Sequence, residues 1–400
     1  MKKCEARDMN KKNFASFVAG LAVMGIVWAG VTGVQSFRGQ SSGRLSERYD
    51  AIEEKLDTID KVISNYYLNQ DEIDLDQMEQ GIYAGYVAGL DEDYTTYYSP
   101  EEFALFMESS SGQYSGIGAY VSQNMSTGII TIVKPFEGAP AADAGIEKDD
   151  VLYAVEGEEV TGEDLNMVVA KLKGEEGTSV KVTIYRPSED KYIDFDVTRA
   201  VVNVPTVTYK MLDNQMGYIQ ISEFDEVTAE QFNAAVEELE AQGMKSLIFD
   251  LRDNGGGLLD SVCDVLDTAL PKELLTYTED KDGNREEEWA TDDDRIDVPM
   301  AVLVNGNTAS ASEIFTGALK DYDEAEIIGT TTFGKGIVQS IIPLSDGSAV
   351  KLTSAKYYTP SGVCIHGTGI EPDQVVEYDA TSGDDAQLQA AVDYLNGVSE

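Results

Sequence analysis

From residue 216 onward the chain alternates between two hydrophobic periods, and this constrains its fold more than any other feature. Unbroken apolar runs, SLIFDL at 246–251 and AVLVN at 301–305, are each followed by a turn and then by a helical pattern, at 258–269 and 310–320. The strand-like GYIQISEF is followed in the same way by an amphipathic stretch at 228–242. A strand that is apolar at every position is buried on both faces, as in a parallel sheet covered by helices. The pattern predicts a layered α/β core over 205–378, with EIIGT, VQSIIPL and VKLTSAKYY as its later strands. A tail at 379–400 carries a short helical pattern at 384–397.

Two other patterns precede the core. Residues 38–110 read as helical: Leu45, Ile52, Leu56, Ile59, Ile63 and Tyr66 recur at helical spacing, and Met78, Ile82, Tyr86 and Leu90 continue it. Ser99-Pro100 marks a further helix start, with a capping serine before proline at the first helical position. Residues 111–204 read as a small domain of short strands, GIGAYVSQ, GIITIVKPF, DVLYAVEG, SVKVTIYRP and YIDFDVTRA, with helical pieces at 140–144 and 162–172. The fold class is therefore multi-domain α/β, of the α+β kind.

Lys2, Lys3, Arg7, Lys11 and Lys12 stand before an uncharged run at 14–37. That run exceeds the roughly 20 residues a helix needs to cross a bilayer. Its positive flank orients residues 1–12 as a cytoplasmic tail, 13–37 as a transmembrane anchor, and the remainder outside the cytoplasm. No small-x-small cleavage site follows, which favours an uncleaved anchor over a signal peptide. Against 29 Lys+Arg stand 73 Asp+Glu, a formal charge of −44. Such a chain repels phosphate backbones, so nucleic acid is excluded as a partner. The densest acidic run, 279–297, reads as a solvated hairpin turning at Asp282-Gly283. Three cysteines are too few for a disulfide framework, and Cys263 and Cys364 read as buried free thiols. With a single histidine and no clustered cysteines, neither a metal site nor a cofactor is implied.

Within VNGNTASASEIF at 304–315, Ser310-Ala-Ser-Glu313 fits a capping box, and a serine so placed is ordinarily a helix cap. Its position at a strand–helix junction is also where ligands bind in α/β sheets. The N–H of Ala311, at the positive end of the helix, suits a developing oxyanion. LRDNGGG at 251–257 follows another buried strand and supplies a second donor candidate. Two residues could accept the serine's proton: His366, the one imidazole, and Lys335, set between glycines in FGKG. A lysine desolvated there would have a lowered pKa and hold a neutral amine. The residues alone leave both open.

NTASASEI, a lysine 335 − 310 = 25 residues later, and Gln339 together resemble the C-terminal processing peptidases, or tail-specific proteases, a family of Ser–Lys serine peptidases with a PDZ domain. LRDNGGG, GTGIEPD and GLDEDYTTYYSPEEF resemble further motifs of that family, so the likeness spans about 45–378. The resemblance implies Ser310 as nucleophile, Lys335 as general base, and Gln339, one helical turn past the lysine, as its positioning partner. It implies Gly256 and Ala311 as oxyanion donors. This chain departs from the family in having Gly255 where proline is usual, and Asn307-Thr308 where Gly-Ser is common. The small sheet domain then reads as a PDZ domain, with Gly116, Ile117, Gly118 and Ala119 as its carboxylate-binding loop and an extended peptide adding beside 119–122. The implied protein is a membrane-anchored, extracytoplasmic serine endopeptidase that captures protein C-termini and cleaves through an acyl-enzyme. Its implied partners are peptide C-termini, the membrane and, through the helical segment, a second copy. The competing readings are a non-catalytic PDZ scaffold for C-terminal tails at the cell surface and a Ser310–His366 esterase.

Overall fold

A computed structural model describes residues 48–378 and 383–398. The expected cytoplasmic tail and anchor at 1–37 lie outside the described residues, among which no helix is long and apolar enough to cross a membrane. The described residues form two compact units, one of 48–101 with 340–352 and one of 102–339 with 353–398.

The first unit contains α1 (Tyr49–Tyr66), α2 (Leu75–Ala88) and β1 (Thr96–Tyr98). Asp74 caps α2, its carboxylate accepting the Gln77 N–H at 3.0 Å. α1 buries no residue, and its stripe of Ile52, Leu56 and Ile59 stays exposed. Tyr97 ties β1 to α2 by donating its hydroxyl to Gln80 Oε1 at 2.7 Å. The helical reading of this region missed β1, which at three residues is too short for periodicity to register.

In the second unit α3 (Pro100–Ser111) leads into β2 (Gln113–Gly116), β3 (Ala119–Gln123), β4 (Ile130–Pro135), α4 (Pro140–Ala144), β5 (Val151–Val155), β6 (Glu158–Glu159), α5 (Leu165–Leu172), β7 (Ser179–Arg186), β8 (Lys191–Thr198) and β9 (Ala200–Asn203). The sheet order is β3-β4-β5-β7-β8, with β6 on β5, while β2 pairs with β9. Alternate residues Ile130, Ile132, Val180, Val182 and Ile184 point inward onto Val168 and Leu172 of α5. Strand β3 pairs only with β4, so its outer edge is open beside α5.

The chain continues through β10 (Val207–Met211), β11 (Met216–Ile221), α6 (Thr228–Ala241), β12 (Ser246–Asp250), α7 (Leu259–Ala269), β13 (Leu274–Asp280), β14 (Arg285–Trp289), β15 (Met300–Val304), α8 (Ala311–Asp321), β16 (Ala325–Gly329), β17 (Ile337–Pro343), β18 (Ala349–Tyr358), β19 (Gln374–Val375) and α9 (Ala386–Val398), all in the same unit except the parts of β17 and β18 within 340–352. The central sheet runs β10-β11-β12-β15-β16-β19, parallel from β11 onward and closed at one edge by antiparallel β10. Its two faces explain the unbroken apolar runs. Leu247, Phe249, Val302 and Val304 pack on Phe232, Leu266 and Phe315 of the covering helices, while Ile248, Ala301 and Leu303 pack on Ala391 and Leu395 of α9. Each of the Leu, Ile, Val and Phe side chains contributes roughly 1.5–3 kcal/mol on burial. The acidic run forms the expected hairpin, β13 against β14 with Gly283 at φ 82° in the turn. Cys263 is a free thiol whose pKa burial pushes up.

Candidate active site

Three neighbouring parallel strands deliver three loops to one edge of the central sheet. β12 ends in the glycine-rich loop 251–257, β15 in the loop that carries Ser310, and β16 in the loop that carries Lys335. Cross-links fix them to one another. Thr308 donates its hydroxyl to the Leu251 carbonyl at 2.8 Å, the Ala309 N–H reaches the Asn254 carbonyl at 3.0 Å, and the Phe333 N–H reaches the Thr308 carbonyl at 2.9 Å. The Asp253 carboxylate accepts from the side-chain amides of Asn305 and Asn307 at 3.0 and 2.8 Å.

Ser310 sits immediately before α8 with φ 58° and ψ −115°. A left-handed φ in a residue other than glycine costs of order 1–3 kcal/mol and persists only where the surroundings impose it. Here the Ser310 N–H donates to Glu313 Oε2 at 2.8 Å, and the Ser310 carbonyl accepts the Glu313 N–H at 2.7 Å, the Ile314 N–H at 2.9 Å and the Tyr357 hydroxyl at 3.0 Å. Half of the capping box read from the sequence is thus formed: the Glu313 side chain returns to the Ser310 N–H, while the Glu313 N–H goes to the Ser310 carbonyl and not to its hydroxyl.

Glu313 does more than cap. It is fully buried, and its carboxylate accepts two further backbone N–H groups, from Lys335 on Oε2 and Gly334 on Oε1, both at 2.8 Å, plus the Thr332 hydroxyl on Oε1 at 2.6 Å. Burial raises its pKa, and these donors oppose the rise. Each oxygen already accepts two donors, which leaves an added O–H no acceptor, so the ionised form is the one this pocket fits. A single carboxylate therefore holds the backbone of residue 310 against that of residue 335. The S-x-x-E pattern carries half of that role; the other half comes from a loop some twenty positions downstream and leaves no local signal.

Ser310, Lys335 and Gln339 are each 1% exposed. Gln339 does not lie a helical turn past the lysine. It lies on strand β17, and its amide donates to Thr353 Oγ1 at 3.4 Å. Ile337-Val338, β-branched and buried, favour the extended course, which pairs with β18. GTGIEPD packs beneath the lysine loop through its backbone: the Gly367 N–H donates to the Gly334 carbonyl at 2.8 Å, and a Cβ on Gly336 would come within 2.6 Å of the His366 nitrogen. The glycines flanking Lys335 are thus required by this packing.

Gly256 abuts the serine. A Cβ there would lie 3.0 Å from both Ala311 N and Ser310 Cβ and 2.8 Å from the Ala309 oxygen, so no side chain fits. Its N–H is donated to Asn254 Oδ1 at 2.8 Å, which turns it away from the oxyanion role expected of it. Ala311 is the first residue of α8, and its N–H belongs to the helix's opening turn, whose donors have no intrahelical acceptor. Behind the glycine loop, Arg252 bridges Asp250 and Asp385, donating to Asp385 at 2.8 and 2.9 Å, and so anchors the start of α9. On its other side Phe224 pairs with Gly257, and the adjoining Asp225 is pushed up to about 8 by burial and by Glu223 and Glu226.

In the small sheet domain, the loop 116–119 is held by its carbonyls: the Phe136 N–H donates to Gly118 at 3.0 Å and the Ala141 N–H to Ile117 at 2.7 Å. A groove of about 280 Å³ runs between β3 and α5, lined by Ile117, Ala119, Val121, Leu165 and Val169 among others.

Residues 215–376 match the model of peptidase family S41, and residues 131–186 match a PDZ domain. Carboxy-terminal processing protease CtpB of Bacillus subtilis is 34% identical over 375 residues, covering 91% of this chain and 77% of that protein. The carboxyl-terminal-processing protease of Synechocystis is 36% identical over 321 residues, covering 78% of this chain and 75% of its own. Among solved structures, a photosystem II D1 C-terminal processing protease is 30% identical, with 82% of this chain and 89% of that chain covered at a TM-score of 0.48.

Proposed function

This chain belongs to peptidase family S41, among serine proteases that process carboxyl termini, and from that premise we propose that it cleaves by a Ser310–Lys335 mechanism. The observation that carries the reading is the Glu313 carboxylate, which gathers the backbone of both residues onto one oxygen at 2.8 Å each. The PDZ domain captures the C-terminus of a protein substrate as an added strand on the open edge of β3. Lys335, as the neutral amine, takes the Ser310 Oγ proton as Oγ bonds to the scissile carbonyl carbon. The Ala311 N–H meets the resulting oxyanion, and the Gly256 N–H joins it on release from Asn254. The lysine ammonium protonates the leaving amine, and the amine then activates water to hydrolyse the acyl-enzyme. Gln339 limits the orientations open to the lysine. The segment 13–37 anchors the enzyme with its catalytic domain outside the cytoplasm, and the exposed stripe of α1 seats a second copy.

Ser310→Ala is expected to abolish turnover of a peptide substrate at an unchanged unfolding temperature, and Lys335→Ala to do the same, while His366→Ala keeps full activity. Peptidase activity in the Ser310→Ala protein comparable to wild type overturns the assignment.

A further inference from the structure

Among the described residues, Tyr357 of β18 is the bulkiest side chain to be fully buried, and the proposed chemistry leaves it unused. Its ring belongs to the core that also holds Phe315 of α8, Val338 of β17 and Ile365, so its hydroxyl has little freedom to move. That hydroxyl donates to the Ser310 carbonyl at 3.0 Å, and the Tyr357 backbone N–H donates to the Gly336 carbonyl at 3.2 Å. One residue of β18 thus holds the chain at the serine and again directly after Lys335. Burial and the nearby Glu313 push the hydroxyl's pKa far above its ordinary value, so it stays a donor at any working pH. A buried tyrosine hydroxyl ordinarily needs a partner, and that need alone could account for the bond. The Ser310 carbonyl, however, does not need the hydroxyl. It already accepts the Glu313 and Ile314 N–H groups at 2.7 and 2.9 Å, one for each lone pair. What the third donor adds is a constraint on direction, from an element other than α8.

The Ser310 carbonyl and the Ala311 N–H are the two ends of one planar trans peptide and point in opposite directions. Whatever fixes the carbonyl therefore aims the N–H. An ordinary cap residue is extended, whereas Ser310 has φ 58° and ψ −115°. Its two other carbonyl donors both belong to α8 and would follow the helix if residue 310 relaxed, while Tyr357 would not. Resting on the reading of Ser310 as nucleophile and Ala311 as oxyanion donor, we propose that Tyr357 is a positioning residue for the oxyanion site: its hydroxyl holds the 310–311 peptide so that the Ala311 N–H faces the oxygen of the reacting carbonyl. Tyr357 touches neither substrate nor reacting atoms and acts only through this peptide. Donors on the carbonyl also polarise the amide, which strengthens its N–H as a donor at the other end.

The test uses the full chain in detergent micelles and a rhodamine-tagged fluorophosphonate, which phosphonylates Ser310 Oγ with loss of fluoride; Ser310→Ala marks the background. Protection from labelling gives inhibition constants for acetyl-alanyl-alanyl-alaninal and for the matching alcohol, acetyl-alanyl-alanyl-alaninol. The aldehyde adds Ser310 Oγ across its carbonyl, the serine proton ending on the former aldehyde oxygen, and so places that oxygen at the oxyanion site. The alcohol forms no such bond and reports the groove alone. Wild type should prefer the aldehyde. Tyr357→Phe keeps the ring and the backbone bond to Gly336 and leaves the Ser310 carbonyl its two helical donors. It should therefore fold, bind the alcohol unchanged, and lose roughly tenfold of the aldehyde preference, short of the roughly 100-fold or more that losing an oxyanion donor outright costs. A Tyr357→Phe protein that does not fold, or that loses aldehyde and alcohol binding alike, shows a structural role and overturns the proposal. Aldehyde preference retained in Tyr357→Phe, or absent from a wild type that is labelled at Ser310, overturns the positioning while leaving the nucleophile intact. No labelling of Ser310 in wild type overturns the Ser–Lys reading itself.

Discussion

At the scale of single residues, the site depends on a strained serine and a buried carboxylate that enforces the strain. Glu313 is satisfied by four donors at once, from Ser310, Thr332, Gly334 and Lys335. Glu313→Gln keeps the shape but turns one oxygen into an amide group, which sets two of those donors against N–H. Each buried donor left without an acceptor costs about 1–3 kcal/mol. Displacement of a catalytic pair by an ångström costs roughly 100-fold in rate. The expected outcome is a kcat at least ~100-fold lower, with KM little changed because the groove is untouched, together with a lower unfolding temperature. A variant with normal kcat would show that Ser310 and Lys335 are aligned without Glu313. The sequence made the proposed nucleophile and both candidate bases visible, since each sits in a short distinctive pattern. It hid the connector, because a glutamate three residues after a capping serine is fully explained by local geometry.

Among elements, legibility followed burial. β12 and β15 were readable because both faces are covered, which leaves an uninterrupted apolar run. β1, β9 and β10 escaped notice: each has five residues or fewer and only partial burial. The stretch after Lys335 reads as the strand VQSIIPL, and the helical turn assigned to Gln339 with the family resemblance conflicts with that reading, which the buried, β-branched Ile337-Val338 support. The loop after β11 carries a property that no pattern announces. Asp225 titrates near 8 in the folded chain against an ordinary 3.8, because it is buried beside Glu223 and Glu226. Between those values the folded state binds the proton that the unfolded state releases. The stabilisation is therefore complete below about pH 4 and is lost as pH rises through 8. Asp225→Asn should raise the melting temperature clearly at pH 9 and hardly at pH 5. Equal shifts at the two pH values would show that the carboxyl titrates normally. Because Phe224 braces Gly257, alkaline loosening of this loop should be felt first at the glycine-rich loop.

Taken whole, the molecule carries a formal charge of −44, yet it is proposed to capture a group that is itself an anion. Long-range repulsion must then be overcome locally, by the backbone amides of the carboxylate-binding loop, which carry partial positive charge at no cost in net charge. The two contributions respond differently to salt. The field of dispersed surface charges is screened beyond about 10 Å at 0.1 M ionic strength, whereas contacts within the groove are screened much less. Substrates with acidic residues upstream of their C-terminus should be taken up slowly at low salt and faster as salt rises. Basic substrates with the same last residues should show the opposite trend. The effect belongs in association, hence in kcat/KM, and kcat should stay flat because the buried Ser310–Lys335 pair lies beyond its reach. Steady-state kinetics on an acidic and a basic peptide of common C-terminus, from 50 to about 500 mM salt, separates the cases. Parallel salt responses would mean that the groove selects by local contacts alone and that the acidic surface has no part in choosing substrates.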